Sequence, residues 1–335
     1  MNIVIIDSGV ANLASVRCAF EALGAAPRVT REAAAVRAAS HVVLPGVGHF
    51  AAGMRALREA GLDAVLREAA GEGKSLLAVC LGMQMLCEGS AEAPGVPGLG
   101  IVPGTCRRLP EAARVPQLGW NRVAPDPRCA YLAPGEAYFA NSYALPAPPG
   151  DWGAAWTDHG GRFVAALARG PLLACQFHPE LSGPWGLALL RRWLAGETEP
   201  PPPLAAPLPP RAPGLLPRLI PCLDVKDGRI VKGIRFQSLR DAGDPAERAA
   251  LYQRQGADEI VMLDVGAAPE GRPTQAETVR RVRAALQIPL SVGGGIRSVD
   301  DAAAILAAGA DKTAVNTAAV RRPALLGEMA ARYGT

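Results

Sequence analysis

Leu76-Leu77-Ala78-Val79-Cys80-Leu81-Gly82-Met83-Gln84 is the stretch whose reading decides the fold. Apolar residues suited to a buried strand run into a cysteine, a glycine follows two positions on, and residues 83–87 are compatible with a helix. This is the pattern of a nucleophile elbow: a strand stops, a side chain is presented on a tight turn, and a helix starts behind it. The turn places the thiol at the carboxyl edge of the strand, and the helix N-terminus favours a thiolate there. Gly82 brings no side chain into the cramped turn. A lone cysteine in a βα turn is as readily a packing residue, so a second signal is needed.

That signal is Gln176-Phe177-His178-Pro179-Glu180. Pro179 biases His178 towards an extended backbone. In an extended segment residues two apart share a face, so Glu180 is expected beside the imidazole. A carboxylate in that place fixes the tautomer of the ring and stabilises its cation. The chain has 4 histidines, and His41, His49 and His159 have no comparable setting. Cys80, His178 and Glu180 therefore read as a nucleophilic triad.

The segments Val79–Gln84 and Phe177–Glu180 resemble those of the class I (triad) glutamine amidotransferases. Pro45-Gly46-Val47-Gly48-His49-Phe50 is similar to the oxyanion strand of the imidazole glycerol phosphate synthase glutaminases within that class. Supporting likenesses are Asn12-Leu13, Leu118-Gly119-Trp120-Asn121 and Tyr138-Phe139 leading to Ser142-Tyr143. The resemblance implies a flavodoxin-like α/β domain over residues 1–197 that hydrolyses glutamine to glutamate and ammonia. It implies that Cys80 attacks the amide carbon, with His178 and Glu180 as its base and orienter. Backbone N–H groups of Leu81 and of Gly46, Val47 or Gly48 would stabilise the oxyanion. Gln84, Glu92 and Ser142 would hold glutamine. No cofactor and no metal is expected.

Composition agrees with that class. The length of 335 residues gives room for two domains, and a hydrophobic fraction of 49% is ample for packed cores. The net charge of +4 comes from scattered arginines without a basic run interleaved with aromatics, so no nucleic-acid partner is expected. The 7 cysteines are widely spaced, with no C-x-x-C pair, and suit a reducing cytoplasm better than a disulfide framework or a zinc site. Met1–Asp7 reads as a first buried strand, not as a signal peptide. No apolar run reaches membrane-spanning length.

In chain order, Ile3–Ile6, His41–Leu44 and Leu76–Val79 are expected as parallel strands. Leu13–Leu23, Met54–Leu66 and Trp185–Leu194 are expected as helices. Frequent Gly and Pro between Gly95 and Asp151 point to a β-rich stretch. Residues 198–217 carry 9 prolines from Pro200 to Pro217 and read as an extended, Pro-rich linker. Residues 218–335 then alternate strands (Leu219–Val225, Ile260–Val265, Ile288–Val292, Lys312–Val315) with helices (Glu247–Gln255, Ala276–Leu286, Val299–Ala308, Pro323–Arg332). That is the pattern of part of a (β/α)8 barrel.

Ile220–Arg229, Val231-Lys232-Gly233, Leu239–Pro245, Ser291–Ile296 and Gly309–Lys312 resemble the cyclase partner of the same synthase family. The resemblance implies Asp224 as an acid/base carboxylate and Lys232 as a substrate contact. Gly294, Gly295, Asn316 and Thr317 would form a phosphate site, and Arg218, Glu259 and Lys312 part of a charged ring through which ammonia enters. A full barrel needs about 250 residues, so a truncated half-barrel is expected here. Such a half would be unable alone to convert the bis-phosphate PRFAR to imidazole glycerol phosphate and AICAR. It would need a cyclase subunit or the missing half as partner, or self-associate through its open sheet edges. The competing readings are a catalytically incomplete scaffold and an amidotransferase serving another acceptor.

Overall fold

The computed structural model describes residues 1–8, 12–111, 113–197, 218–234 and 237–333. The linker expected at 198–217 lies outside the described residues. The chain divides into two compact units, the first holding every strand before residue 176 and the second every strand after 221.

In chain order the elements begin with β1 (Ile3–Ile6), α1 (Leu13–Ala22, grouped with the second unit as far as Cys18), β2 (Arg28–Thr30), α2 (Ala33–Ala38), β3 (His41–Gly46), α3 (Phe50–Glu59), α4 (Leu62–Gly71), β4 (Ser75–Cys80) and α5 (Leu81–Leu86). They continue with β5 (Cys87–Ser90), β6 (Val102–Arg108), β7 (Gln117–Pro125), β8 (Gly135–Asn141) and β9 (Tyr143–Ala144). The first unit closes with β10 (Gly153–Asp158), β11 (Arg162–Arg169), β12 (Leu172–Cys175), a 3-10 turn at Pro179–Leu181 and α6 (Gly183–Ala195).

Nine strands form one sheet in the order β2-β1-β3-β4-β12-β11-β10-β7-β8. The run β2-β1-β3-β4-β12 is parallel, the flavodoxin-like order, and β11 turns the sheet antiparallel. β1 and β12 are buried along their whole length and β4 beyond Ser75, as strands covered on both faces must be. A smaller sheet, β5-β6-β9, carries the expected β-rich stretch between Gly95 and Asp151 together with β7 and β8.

The single helix expected at Met54–Leu66 is two. Gly61 takes φ 65°, a left-handed conformation suited to glycine, and ends α3 before α4 begins. Each helix then keeps its own apolar stripe at the same i, i+3, i+4, i+7 spacing: Phe50, Gly53, Met54 and Leu57, then Leu62, Val65, Leu66 and Ala69. Both stripes pack into the core with Leu44, Leu76 and Ala78.

The second unit contains β13 (Cys222–Lys226), β14 (Arg229–Ile234), β15 (Gln237–Gly243), α7 (Pro245–Arg254), β16 (Ile260–Asp264), α8 (Ala276–Ala284), β17 (Leu290–Gly293), α9 (Val299–Ala307), β18 (Lys312–Ala314), α10 (Thr317–Arg321) and α11 (Ala324–Tyr333). β13, β16, β17 and β18 are parallel neighbours, and the antiparallel hairpin β14–β15 adds to the β13 side. Among the described residues the sheet is open, with β15 and β18 outermost. The hairpin is not legible in the sequence as strand, because glycine and charge interrupt its alternation.

Local signals set the helices. Asp244 accepts from the backbone N–H of Ala246 and Glu247 at 2.9 and 3.1 Å, and Pro245 occupies the first turn of α7. Ser298 caps α9 through the Asp301 N–H at 3.0 Å. Arg283, buried on α8, pairs with Asp311 at 2.8 Å and donates to the carbonyls of Leu286 and Ile288. Asp311 in turn accepts from the Leu290 N–H at 2.7 Å, so one buried ion pair ties α8 to the start of β17.

At the elbow, a Cβ on Gly82 would overlap the carbonyl oxygen of Leu44 on β3. Gly82→Ala is therefore expected to lower stability by about 2 kcal/mol or more, the range of an overpacked core site, measured as a fall in the thermal midpoint. An unchanged midpoint would contradict this close approach.

Candidate active site

The register of two parallel strands builds the site. β4 and β12 pair with Val79 opposite Cys175; β4 ends one residue later at Cys80, and Gln176 follows the last residue of β12. Gln176 keeps its place by donating its backbone N–H to Ala165 of β11 at 2.8 Å. Two residues later comes His178. Cys80 takes φ 53° and ψ −111°, an uncommon conformation for a side-chain-bearing residue, between the end of β4 and the start of α5. This is the strand–turn–helix geometry of an elbow.

His178 is extended at φ −100° and ψ 95°, but Pro179–Leu181 form a 3-10 turn. Glu180 consequently reaches the imidazole by chain reversal, not across the face of an extended segment as the sequence suggests. Its Oε1 lies 2.8 Å from His178 Nδ1, with both side chains almost wholly buried. The Cys80 side chain is near enough to the same ring to act on it electrostatically. Burial pulls the imidazole pKa down. Cys80 and Glu180 more than offset that and hold it well above the ordinary 6.5.

The backbone of His178 is fixed from two sides. Its N–H donates to Tyr138 O at 2.9 Å, and its carbonyl accepts from the Ser182 hydroxyl at 2.6 Å. The Ser182 oxygen accepts from the Tyr138 N–H at 3.0 Å, closing the loop. Neither Tyr138 nor Ser182 is marked as a support in the sequence, because the contact depends on β8 meeting the turn.

The remaining expected residues lie around this centre. Gly46 pairs with Cys80 across β3 and β4, and Gly48 follows at φ 88°, so the 46–48 segment starts beside the elbow. Leu81 opens α5. Glu92 accepts from the Phe50 N–H at 2.7 Å, two residues beyond Gly48. Gln84 is buried and donates to Tyr143 O at 2.9 Å and to Gln176 Oε1 at 3.1 Å. Half-buried Ser142 lies between β8 and β9, two residues after Ala140, whose carbonyl is 3.7 Å from the Cys80 sulfur. Gln176 is buried with its amide nitrogen 3.8 Å from the same sulfur. It stands inside the quoted histidine motif, yet only the strand register reveals its place.

Other thiols are placed differently. Burial raises Cys129 to about 12 and Cys175 well above its ordinary value. Cys106 is raised chiefly by its hydrogen bond with Cys87.

The family model of glutamine amidotransferase class-I matches residues 4–195. The chain belongs to the class-I glutamine amidotransferases. It is an enzyme of that class, and its first unit is of the HisH type. "Imidazole glycerol phosphate synthase subunit HisH" of Symbiobacterium thermophilum is 45% identical over 195 residues, covering 57% of this chain and 92% of that protein.

A second model, histidine biosynthesis protein, matches residues 218–335. "Imidazole glycerol phosphate synthase subunit HisF" of Anoxybacillus flavithermus is 60% identical over 118 residues, covering 35% of this chain and 47% of that protein. "Imidazole glycerol phosphate synthase hisHF, chloroplastic" of Arabidopsis thaliana is 33% identical over 352 residues, 95% of this chain and 59% of the plant protein. This amidotransferase thus carries both domain types on one chain. The histidine-biosynthesis match runs through the whole of 218–335, so the expectation of a truncated half awaiting a separate missing half gains no support from it.

In the second unit Arg218, Glu259 and Lys312 converge. Arg218 lies 3.1 Å and Lys312 2.7 Å from the same Glu259 oxygen, and the Ser291 hydroxyl donates to the other at 2.6 Å. These residues stand before or at the amino-terminal parts of β13, β16, β17 and β18. Ser291 was not legible, since nothing in its local sequence marks a partner for Glu259.

At the opposite strand ends, Gly294 and Gly295 follow β17, while Asn316 and Thr317 follow β18, its neighbour. Both glycines take positive φ, and a Cβ on Gly294 would overlap the Asp264 carbonyl, so close packing as well as ligand approach demands them. Asp224 stands in the middle of β13, not next to the end of a strand closing at Val225, because the strand starts at Cys222 and runs on to Lys226. Desolvation raises its carboxyl above the usual range. Lys232 is exposed on the adjoining β14.

Around the end of β16, Arg272 grips Asp264 with two nitrogens at 2.7 and 3.0 Å. Asp264 also accepts from the Ala267 N–H at 3.1 Å, which fixes the loop beneath the glycines. Among the described residues no group of three or more His, Cys, Asp or Glu is arranged to hold a metal ion. None of the described helices is long and apolar enough to cross a membrane.

Removing the negative charge beside the imidazole is expected to lower its pKa. Glu180→Gln should move the His178 titration midpoint, followed by its ring NMR signals, towards lower pH. A midpoint that stays in place would contradict the role given to Glu180.

Proposed function

We propose that the first unit hydrolyses glutamine through Cys80, and that the ammonia serves an imidazole glycerol phosphate synthase reaction. The observation that carries the reading is the buried His178–Glu180 pair at 2.8 Å, with Cys80 acting on the same imidazole. In the first half-reaction the thiolate forms an S–C bond to the side-chain amide carbon of glutamine. Charge gathers on the amide oxygen, where the Leu81 N–H and one from 46–48 stabilise it. Losing one such donor typically costs about 3 kcal/mol. The C–N bond then breaks as the His178 imidazolium gives its proton to the departing nitrogen, leaving ammonia and a γ-glutamyl thioester. In the second half-reaction neutral His178 takes a proton from water, water attacks the thioester, and the S–C bond breaks to release glutamate. Glu180 holds the ring and stabilises its cation throughout. Glu92 and Ser142 are the proposed contacts of the glutamine, with Gln84 supporting the site from within.

For the second unit we infer the ammonia-accepting part of the same reaction, with PRFAR as substrate and imidazole glycerol phosphate and AICAR as products. What supports it is the histidine-biosynthesis match and the convergence of Arg218 and Lys312 on Glu259, read as an ammonia gate. Asp224, with its raised carboxyl, is the proposed acid/base group and Lys232 a substrate contact. Gly294, Gly295, Asn316 and Thr317, on adjacent loops, are the proposed phosphate site. The domain limits proposed are 1–197 and 218–335. The free state of all cysteines fits a reducing compartment such as the cytoplasm.

Glutamate release in the presence of PRFAR tests the reading. Cys80→Ala is expected to lose at least about 10⁴-fold in kcat, and Glu180→Gln about 10²- to 10⁴-fold with a smaller change in KM. Wild-type turnover by Cys80→Ala would refute it.

A further inference from the structure

We propose that Gln176 positions and stabilises the Cys80 sulfur by donating a side-chain N–H to it, with Gln84 fixing the direction of that amide. The proposal rests on the glutaminase reading of Cys80 and deepens it. An amide side chain has a donating end and an accepting end of similar size, so the question is which end faces the sulfur. The answer starts from a backbone carbonyl, which can only accept.

Tyr143 O lies 2.9 Å from one end of the Gln84 amide, so that end is the NH2 group. The same nitrogen lies 3.1 Å from Gln176, whose near end must then be its oxygen. The other end, the Gln176 nitrogen, is left facing the Cys80 sulfur at 3.8 Å. Asn141 Nδ2 also donates to Tyr143 O, at 3.1 Å, and pins the carbonyl from which the chain begins. Turning Gln176 over would set its NH2 against that of Gln84 and an oxygen against the sulfur. Gln176 is fully buried, so no solvent competes for its amide.

The sulfur needs this donor because of what lies elsewhere around it. The Ala140 carbonyl, 3.7 Å away, accepts from a thiol and repels a thiolate. An N–H from Gln176 opposes that preference, and a bond to an ionised sulfur is stronger than one to the neutral thiol. His178, backed by Glu180, is held well above its ordinary pKa partly by the same sulfur.

The test follows iodoacetamide alkylation of the Cys80-bearing peptide against pH in the full chain, alongside steady-state glutamine hydrolysis. Gln176→Met is expected to move the midpoint of the alkylation profile up by about one pH unit, the size of one charge-assisted hydrogen bond. Its kcat should fall about tenfold with KM changed less than about twofold, the signature of a lost interaction with the reacting group and not with bound substrate. Gln84→Met, which keeps Gln176 but frees its amide to turn, should shift the profile in the same direction by less. It decides the matter if Gln176→Met does not fold. In the wild-type protein the Gln176 side-chain amide NMR signal should move as the sulfur titrates. Profiles that superimpose on wild type, or an amide signal indifferent to that titration, would overturn the proposal. A Cys80→Ala protein that still releases glutamate at the wild-type rate defeats the glutaminase reading itself. An inactive Cys80→Ala with unshifted profiles defeats only the role of Gln176.

Discussion

Everything in the first unit hangs on β4 lying parallel to β12 with Val79 opposite Cys175. That register brings a cysteine at the end of one strand beside a glutamine and a histidine beyond the end of the other, although nearly a hundred residues of chain intervene. A slip of one position would turn each side chain to the opposite face of the sheet. The register is held by burial: Leu76, Leu77, Ala78 and Val79 pair alongside Leu172, Leu173, Ala174 and Cys175 in the sheet, all with little or no exposure. Each large aliphatic side chain so buried contributes about 1.5–3 kcal/mol. That offsets the backbone strain at Cys80, a residue at φ 53°, which costs on the order of 1–3 kcal/mol.

The buried charge at the site is arranged to be affordable only in company. Glu180 keeps one oxygen on His178 while its other finds no hydrogen-bond partner among the described residues. A carboxylate in that position is costly unless a cation stands against it. The imidazolium is that cation, and it is in turn favoured by the sulfur on its far side. Ser182 and Tyr138 supply rigidity instead of charge, keeping the ring where both neighbours can reach it.

Legibility follows the range of the interactions concerned. The elbow, the histidine motif and the four parallel strands of the second unit are written in contiguous residues, and they could be read directly. Met54–Leu66 misled because the two apolar stripes share one spacing and only the backbone of Gly61 separates them. Glu180 was placed correctly beside His178 for an incorrect reason, since periodicity does not foresee a 3-10 turn after Pro179. Gln176, Ser182 and Ser291 act through partners brought in by strand pairing. Their roles are properties of the register and leave no local mark.

In the second unit Arg218, Glu259 and Lys312 gather at the amino ends of the strands, while Gly294 and Gly295 follow the carboxyl end of β17. On the reading proposed, the amino-end cluster admits ammonia made by the first unit and the glycine loops hold a phosphate. The direct measurement is acid quench of the protein during turnover of glutamine labelled in its carbon chain, followed by peptide mass spectrometry. A γ-glutamyl thioester on the peptide bearing Cys80 is the result expected. Sustained glutamate release with the label on another residue, or with none bound at all, would contradict the account.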